Sequence, residues 1–204
     1  MRALLLIDLQ YDFMPGGALA VPQGDATVLV ANRLLDRFGF VVASQDWHPA
    51  DHLSFASQHP GHEPLEEIEL DGLSQTLWPD HCVQGSHGAE LHHELRTGSI
   101  DRVIRKGEDR RVDSYSAFFD NARRRKTDLE ATLREQGVEE LVVLGLATDY
   151  CVLFSVLDAL DLGFRVSVVR DGCRGIDQPA GGVDAAWRRM EEAGAAIVDS
   201  QEVS

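Results

Sequence analysis

The chain has 204 residues and a mass of 22.5 kDa, with 44% hydrophobic residues, enough for one domain with a full core. Its 19 lysines and arginines face 34 acidic residues, giving a net charge of −15, a field that repels phosphate backbones and speaks against nucleic-acid binding. No apolar run approaches a membrane span, and three cysteines without framework spacing suggest reduced thiols in a cytosolic protein.

The first apolar run, residues 3–7, ends at Asp8 and sits too close to the start, with too acidic a sequel, for a signal peptide. It reads as a strand buried on both faces of a parallel sheet. Val28, Ala31, Leu34, Leu35 and Phe38 then repeat at helical spacing, with Gly39 as the stop. Residues 40–43 form the second strand, followed by Asp46. Beyond it the chain changes character, because all eight histidines and four of the seven prolines fall between His48 and His93. A long connection of this kind is usually functional or disordered. Trp47, Phe55 and Trp78 supply apolar anchors that argue against disorder, and the competing reading is a solvated surface loop.

Residues 102–105 are a weaker strand candidate leading to Lys106, and the basic residues 123–126 read as a solvated helix entry. Thr127 and Glu130 have the spacing of a capping box, and Gly137 closes that helix. Residues 141–144 predict a strand that runs on through Gly145 towards Cys151. Leu153, Val156, Leu157 and Leu160 give the next helical stripe, ended by Gly163. Residues 166–169 and 195–198 are further strands, with Trp187, Met190 and Ala193 marking the helix between them. The alternation predicts an α/β fold: one domain over 1–204, a doubly wound, mostly parallel sheet with helices on both faces. A histidine-rich insertion follows the second strand.

In open α/β sheets ligands bind beyond the carboxyl ends of the strands. Four strands here lead to Asp8, Asp46, Lys106 and Cys151, which would converge on one rim. Cys151 is expected in the first turn of a helix, where the helix end would lower its pKa and free N–H groups could hold an oxyanion. The alternative is an inert buried thiol, and Cys82 and Cys173 are read as structural. Asp46 and His48 point the same way in an extended segment and suit chelation of one ion, with His52 and His81 available to complete the set. Such mixed ligands suit zinc, manganese or iron.

The chain resembles the nicotinamidases of the isochorismatase-like cysteine hydrolases over essentially its whole length. The resemblance rests on Leu6-Ile7-Asp8-Leu9-Gln10-Tyr11-Asp12-Phe13, Asp46-Trp47-His48-Pro49, Trp78-Pro79-Asp80-His81-Cys82, Asp113-Ser114-Tyr115-Ser116-Ala117-Phe118 and Ala147-Thr148-Asp149-Tyr150-Cys151. It implies a catalytic triad of Asp8, Lys106 and Cys151. Asp46, His48 and His81 would hold one divalent metal ion, with zinc favoured over manganese or iron and His52 left open as a fourth ligand. Ala147 and Cys151 would supply oxyanion N–H groups, with a cis Ala147–Thr148 peptide. Phe13, Trp78 and Tyr115 would wall a pocket for a flat pyridine ring. The implied substrate is nicotinamide, hydrolysed in the cytoplasm through a cysteine thioester, without nucleic-acid or membrane partners and with a homo-oligomer left open. The rival readings are a related hydrolase for another small amide or isochorismate, a metallohydrolase with an inert Cys151, and a non-catalytic sensor.

Overall fold

All six apolar runs become strands of one sheet. The computed structural model describes residues 1–203. In chain order its elements are β1 (Arg2–Ile7), α1 (Asp25–Leu34), β2 (Val41–Asp46), β3 (Glu67–Leu70), β4 (Leu73–Thr76), β5 (Arg102–Lys106), α2 (Leu129–Glu135), β6 (Glu140–Leu146), α3 (Leu153–Asp161), β7 (Arg165–Arg174), α4 (Gly182–Glu192) and β8 (Ala196–Val198). The sheet has the order β5-β2-β1-β6-β7-β8, and every neighbouring pair is parallel. Residues 3–7 of β1 are fully buried, as a strand covered on both faces should be. The edge strand β5 buries only Ile104 and Lys106, which explains its weak apolar signal.

From the central strand β1 the chain winds outward to β2 on one side, and from its neighbour β6 to β7 on the other. Right-handed crossovers therefore place α1 on one face and α2, α3 and α4 on the opposite one. The boundary between β1 and β6 is the topological switch point, where a crevice opens beyond the strand ends. Asp8 leaves β1 there with a φ of 50°, and β6 leads into the turn bearing Cys151. Gly145 lets these two strands meet: at φ +137° a Cβ on it would lie 2.1 Å from the Ile7 carbonyl oxygen.

Some boundaries differ from the sequence reading. α1 ends at Leu34 and passes into a 3₁₀ turn, Leu35–Arg37, before Phe38 extends. The expected capping box is half formed. Thr127 Oγ1 accepts the Leu129 N–H at 3.1 Å, but the Thr127 N–H donates to Phe118 O, and Glu130 pairs with Lys126 instead. The helix expected to contain Cys151 begins two residues later, at Leu153, after a π-helical turn spanning Thr148–Val152.

The histidine-rich insertion is folded onto the sheet rim. Single bridges join His48 to Val83, Phe55 to Trp78 and Gln10 to Leu91, and Phe55 and Trp78 are buried as expected of anchors. Trp47 lies under the Arg105 guanidinium, 4.0 Å from its ring centroid. The antiparallel hairpin β3–β4 was not expected from the apolar pattern. Its turn, Asp71-Gly72, has positive φ at both residues, the conformation of a type I′ hairpin. No helix among the described residues is long and apolar enough to cross a membrane.

Candidate active site

The strand ends converge on a single ammonium group. Asp46 and Lys106 are register partners on β2 and β5, and Lys106 Nζ lies 2.6 Å from Asp46 Oδ1. The same nitrogen stands 3.0 Å from Asp8 Oδ2, 2.9 Å from Ser114 O and 3.4 Å from Cys151 Sγ. All of these side chains are buried. Asp8 is held on its other oxygen by the Ser44 hydroxyl, which donates to Oδ1 at 2.6 Å. Although Asp8 Oδ2 is close enough to Lys106 for an ion pair, it lacks an aligned hydrogen bond and remains free to take a proton.

Burial and charge divide the protons among these groups. Burial pulls the Lys106 ammonium pKa down, but Asp46 and Asp8 outweigh it and hold that pKa well above the usual lysine value. Burial raises the Asp46 carboxyl, yet Lys106 and His48 more than reverse this, so Asp46 stays well below the carboxylate range. Asp8 ends above that range because burial and the Asp46 charge exceed the pull of Lys106 and Ser44. Cys151 departs from expectation. Burial, Asp8 and Asp46 push its thiol well up despite Lys106, so the helix end does not produce a resting thiolate. A neutral thiol beside a carboxylate of raised basicity suits proton transfer during attack.

Asp46 also faces the insertion. His48 Nε2 lies 3.4 Å, and His81 Nε2 3.7 Å, from Asp46 Oδ2. Each ring's Nδ1 faces a carbonyl, Gly107 O at 2.9 Å for His48 and Pro79 O at 2.8 Å for His81. Each Nδ1 therefore donates to its carbonyl and turns Nε2 toward Asp46, an arrangement that orients metal-binding imidazoles. His48 Nε2 is buried with no hydrogen-bond partner among the described residues. Ligand bonds of about 2.0–2.1 Å in a tetrahedral shell place ligand atoms roughly 3.3 Å apart, so the three residues fit a divalent ion. Gly107 makes room for the ring: at φ +70° its Cβ would lie 2.4 Å from His48 Cε1. His52 differs, because its Nδ1 accepts the Ser54 N–H at 3.1 Å and burial lowers its pKa to about 4. Its Nε2 is buried with no hydrogen-bond partner among the described residues.

Phe13, Trp78 and Tyr115 share one cleft with Ala147, Cys151, Asp46 and His81. Trp78 meets Tyr115 edge-on with centroids 6.2 Å apart, and Phe13 tilts against His81 at 5.6 Å. Leu19, Tyr150 and Ile176 complete the walls, and sequence reasoning missed all three. The cleft volume is about 20 Å³, room for about one water. The cis peptide is Leu146–Ala147, one bond earlier than expected. The Ala147 carbonyl accepts the Tyr150 and Val152 N–H groups, both at 3.1 Å.

Other supporting residues escaped the sequence as well. Gln10 ties Asp46 in place at both backbone ends, donating from Nε2 to its carbonyl and accepting its N–H, each at 2.8 Å. Asp113 lies beside His48 and His52 and lines the cleft. Gln10 and Asp113 fall within the quoted motifs, but nothing in a linear sequence reveals their partners. Cys82 and Cys173 are buried, Cys82 Sγ faces Gly88 O at 4.0 Å, and burial pushes the Cys173 thiol to about 12. Cys82→Ala and Cys173→Ala should each retain most of the wild-type kcat, as measured by product release from folded protein. A loss comparable to that of Cys151→Ala would move the nucleophile assignment.

Comparison with known proteins gives a consistent result. The chain matches the isochorismatase domain over residues 2–202. It is 60% identical over 200 residues to nicotinamidase of Escherichia coli K12, covering 96% of this chain and 93% of the relative. A solved Acinetobacter baumanii nicotinamidase/pyrazinamidase superposes with a TM-score of 0.96 at 43% identity, covering 100% of this chain and 98% of that one. Pyrazinamidase of Pyrococcus horikoshii, solved in complex with zinc, gives 0.79 at 36% identity, covering 97% and 98%.

Proposed function

The chain belongs to the isochorismatase domain family, and we infer that within it the chain acts as a nicotinamidase, converting nicotinamide to nicotinic acid and ammonia. Pyrazinamide is the second substrate, and the reaction belongs to pyridine nucleotide salvage. The observation that carries the reading is the position of Lys106 Nζ, in contact with Asp8, Asp46 and Cys151 at once. It couples a base and a thiol to a carboxylate of the metal-ligand set, which the reading of a related hydrolase without a metal does not explain. Three cysteines without disulfides favour a reducing, cytoplasmic setting.

In this mechanism Cys151 is the nucleophile and Asp8 the base. The carboxylate oxygens of Asp8 and Asp46 and the thiol sulfur lie within 4.8 Å of one another. Asp8 Oδ2 takes the thiol proton as Cys151 Sγ bonds to the carboxamide carbon. The N–H groups of Ala147 and Cys151 are assigned to the resulting oxyanion, a role supported by both residues lining the cleft. Asp8 then returns its proton to the departing nitrogen, the C–N bond breaks and ammonia leaves a nicotinoyl thioester. Water attacks that carbon while Asp8 takes one of its protons; the C–S bond breaks and the proton goes back to sulfur. Throughout, Lys106 keeps charge on Asp8 and sulfur tolerable in a buried site.

Asp46, His48 and His81 are the assigned metal ligands, with zinc favoured and manganese or iron as alternatives. When bound, the ion supplies a coordination point for the ring nitrogen and so orients the ring. Phe13, Trp78 and Tyr115 hold its faces and exclude water. The test is ammonia release from nicotinamide, pyrazinamide and benzamide by the metal-loaded protein. Nicotinamide and pyrazinamide should turn over readily and benzamide, lacking a ring nitrogen, at least about tenfold less efficiently, a difference of about 1.4 kcal/mol. No ammonia from nicotinamide would remove the assignment.

A further inference from the structure

The nucleophile turn carries two side chains that the mechanism does not use. Asp149, two residues before Cys151, is buried and spends both carboxylate oxygens on one short segment. Oδ1 accepts the Ile176 N–H at 3.0 Å, and Oδ2 accepts the Asp177 N–H at 2.7 Å. Tyr150 donates its hydroxyl to Gln178 O at 2.9 Å. Its ring stands edge-on to Trp78 at 4.8 Å and to Tyr115 at 5.5 Å, as part of the cleft wall. Consecutive residues of the turn thus grip three consecutive residues of the connection between β7 and α4.

That connection is fixed at its other end too. Asp177 has a φ of 57°, and its Oδ1 accepts the Gly181 and Val183 N–H groups at 3.0 and 3.1 Å, at the start of α4. Gly175 admits the close approach: a Cβ there would lie 2.9 Å from Asp149 Oδ1 and 2.2 Å from Val183 Cγ2. Between these anchors Ile176 reaches the cleft, where it lines the same wall set as Ala147 and Cys151.

We propose that residues 175–178 form a specificity strap, in which Ile176 limits the ring substituents admitted beside the nucleophile, while Asp149 and Tyr150 act as positioning residues that hold it down. This deepens, and rests on, the nicotinamidase reading. The cleft is narrow, with a volume of about 20 Å³, and Ile176 is one of its apolar walls, so a ring substituent on that side meets it. Most walls belong to the aromatic cluster or the nucleophile turn. The strap is held through main-chain hydrogen bonds to two side chains, and those bonds set how far Ile176 yields. An extra methyl group in a well-fitted apolar pocket typically changes selectivity by about 10–200-fold, the scale on which Ile176 is expected to act.

The experiment compares kcat/KM for nicotinamide with that for nicotinamides methylated at each free ring carbon, using metal-loaded wild type, Ile176→Ala, Tyr150→Phe and Asp149→Asn. Wild type should reject the methylated substrates. Ile176→Ala should raise the ratio of methylated to plain substrate at least about tenfold for one ring position. Tyr150→Phe keeps the ring and frees only Gln178, so it should shift the ratio at the same position in the same direction, by less. Asp149→Asn places an amide donor against an N–H and should combine that shift with a raised KM for nicotinamide. General damage would lower both substrates together and leave the ratio alone. If Asp149→Asn does not fold, the other two variants decide. Ratios within twofold of wild type in the folded variants overturn the strap, whereas a wild type that releases no ammonia from nicotinamide overturns the underlying function instead.

Discussion

A Cys151→Ala variant should bind nicotinamide and release no measurable ammonia. Loss of the sulfur removes the only atom assigned to bond with the carboxamide carbon, so turnover should fall by at least about 10³-fold, as for other covalent nucleophiles. The fold should tolerate the change. Lys106 keeps its contacts with Asp8, Asp46 and Ser114 O, so no buried charge is left without a partner. The aromatic walls and the Asp46, His48 and His81 set do not use the sulfur either. Calorimetric titration with nicotinamide and an ammonia assay on the same preparation separate the two effects. Substantial hydrolysis by folded, metal-loaded Cys151→Ala would favour the rival in which another nucleophile attacks and the thiol is a bystander.

Asp8 gives the same conclusion a different signature. The raised pKa of its carboxyl means that protonation removes the base at a pH above the ordinary carboxylate range. The acid limb of kcat/KM should therefore lie above a model aspartate, with activity lost as pH falls through it. Lys106 is a riskier target. Its removal leaves Asp8 and Asp46 facing each other in a buried site, a loss of partner that typically costs about 3–5 kcal/mol.

The sheet was legible because β1 and β6 are buried on both faces, and an apolar run is the trace such strands leave in a sequence. Asp8 and Cys151 inherit their places from those two strands, so the rim could be read along with the sheet. The hairpin β3–β4 left no such trace. Glu67, Ile68, Glu69 and Leu70 are exposed or half-exposed, and only Asp71-Gly72 carried a turn signal. The Lys106–Asp46 pair depends on the register between β2 and β5, which nothing in either segment alone specifies. Ser114 reaches Lys106 through its carbonyl, a group every residue has, so no side-chain pattern could reveal it. The Cys151 pKa was misjudged for a related reason. A helix end is visible in sequence, but the burial and two carboxylates that outweigh it appear only when distant strands meet.

Removing the divalent ion should raise KM for nicotinamide by at least about tenfold, about 1.4 kcal/mol, while the sheet stays folded. The two effects separate because the assigned ligands join different parts of the molecule. Asp46 ends β2 and is pinned by Gln10 and Lys106, whereas His48 and His81 belong to the insertion, which meets the rim through the Gln10–Leu91 bridge and a few hydrogen bonds such as His92 N–H to Leu9 O and Cys82 N–H to Asp12 Oδ2. Without the ion, His48 Nε2 is buried with no aligned hydrogen-bond partner among the described residues, and the insertion loses a link to the rim. Hydrogen exchange should therefore quicken in residues 48–83 on chelation, with β1 and β6 protected as before. His48→Ala and His81→Ala should each reproduce the raised KM and lose bound metal by elemental analysis, and a chelator should add little to either. Benzamide offers no ring nitrogen, so its weaker binding should change less when the ion is removed. Zinc, manganese and iron added back separately to chelated protein should restore nicotinamide affinity to different degrees, which ranks the metals. A fully active protein with no bound divalent ion would return His48 and His81 to a structural role, and unchanged exchange in the insertion would show that its apolar anchors hold it unaided.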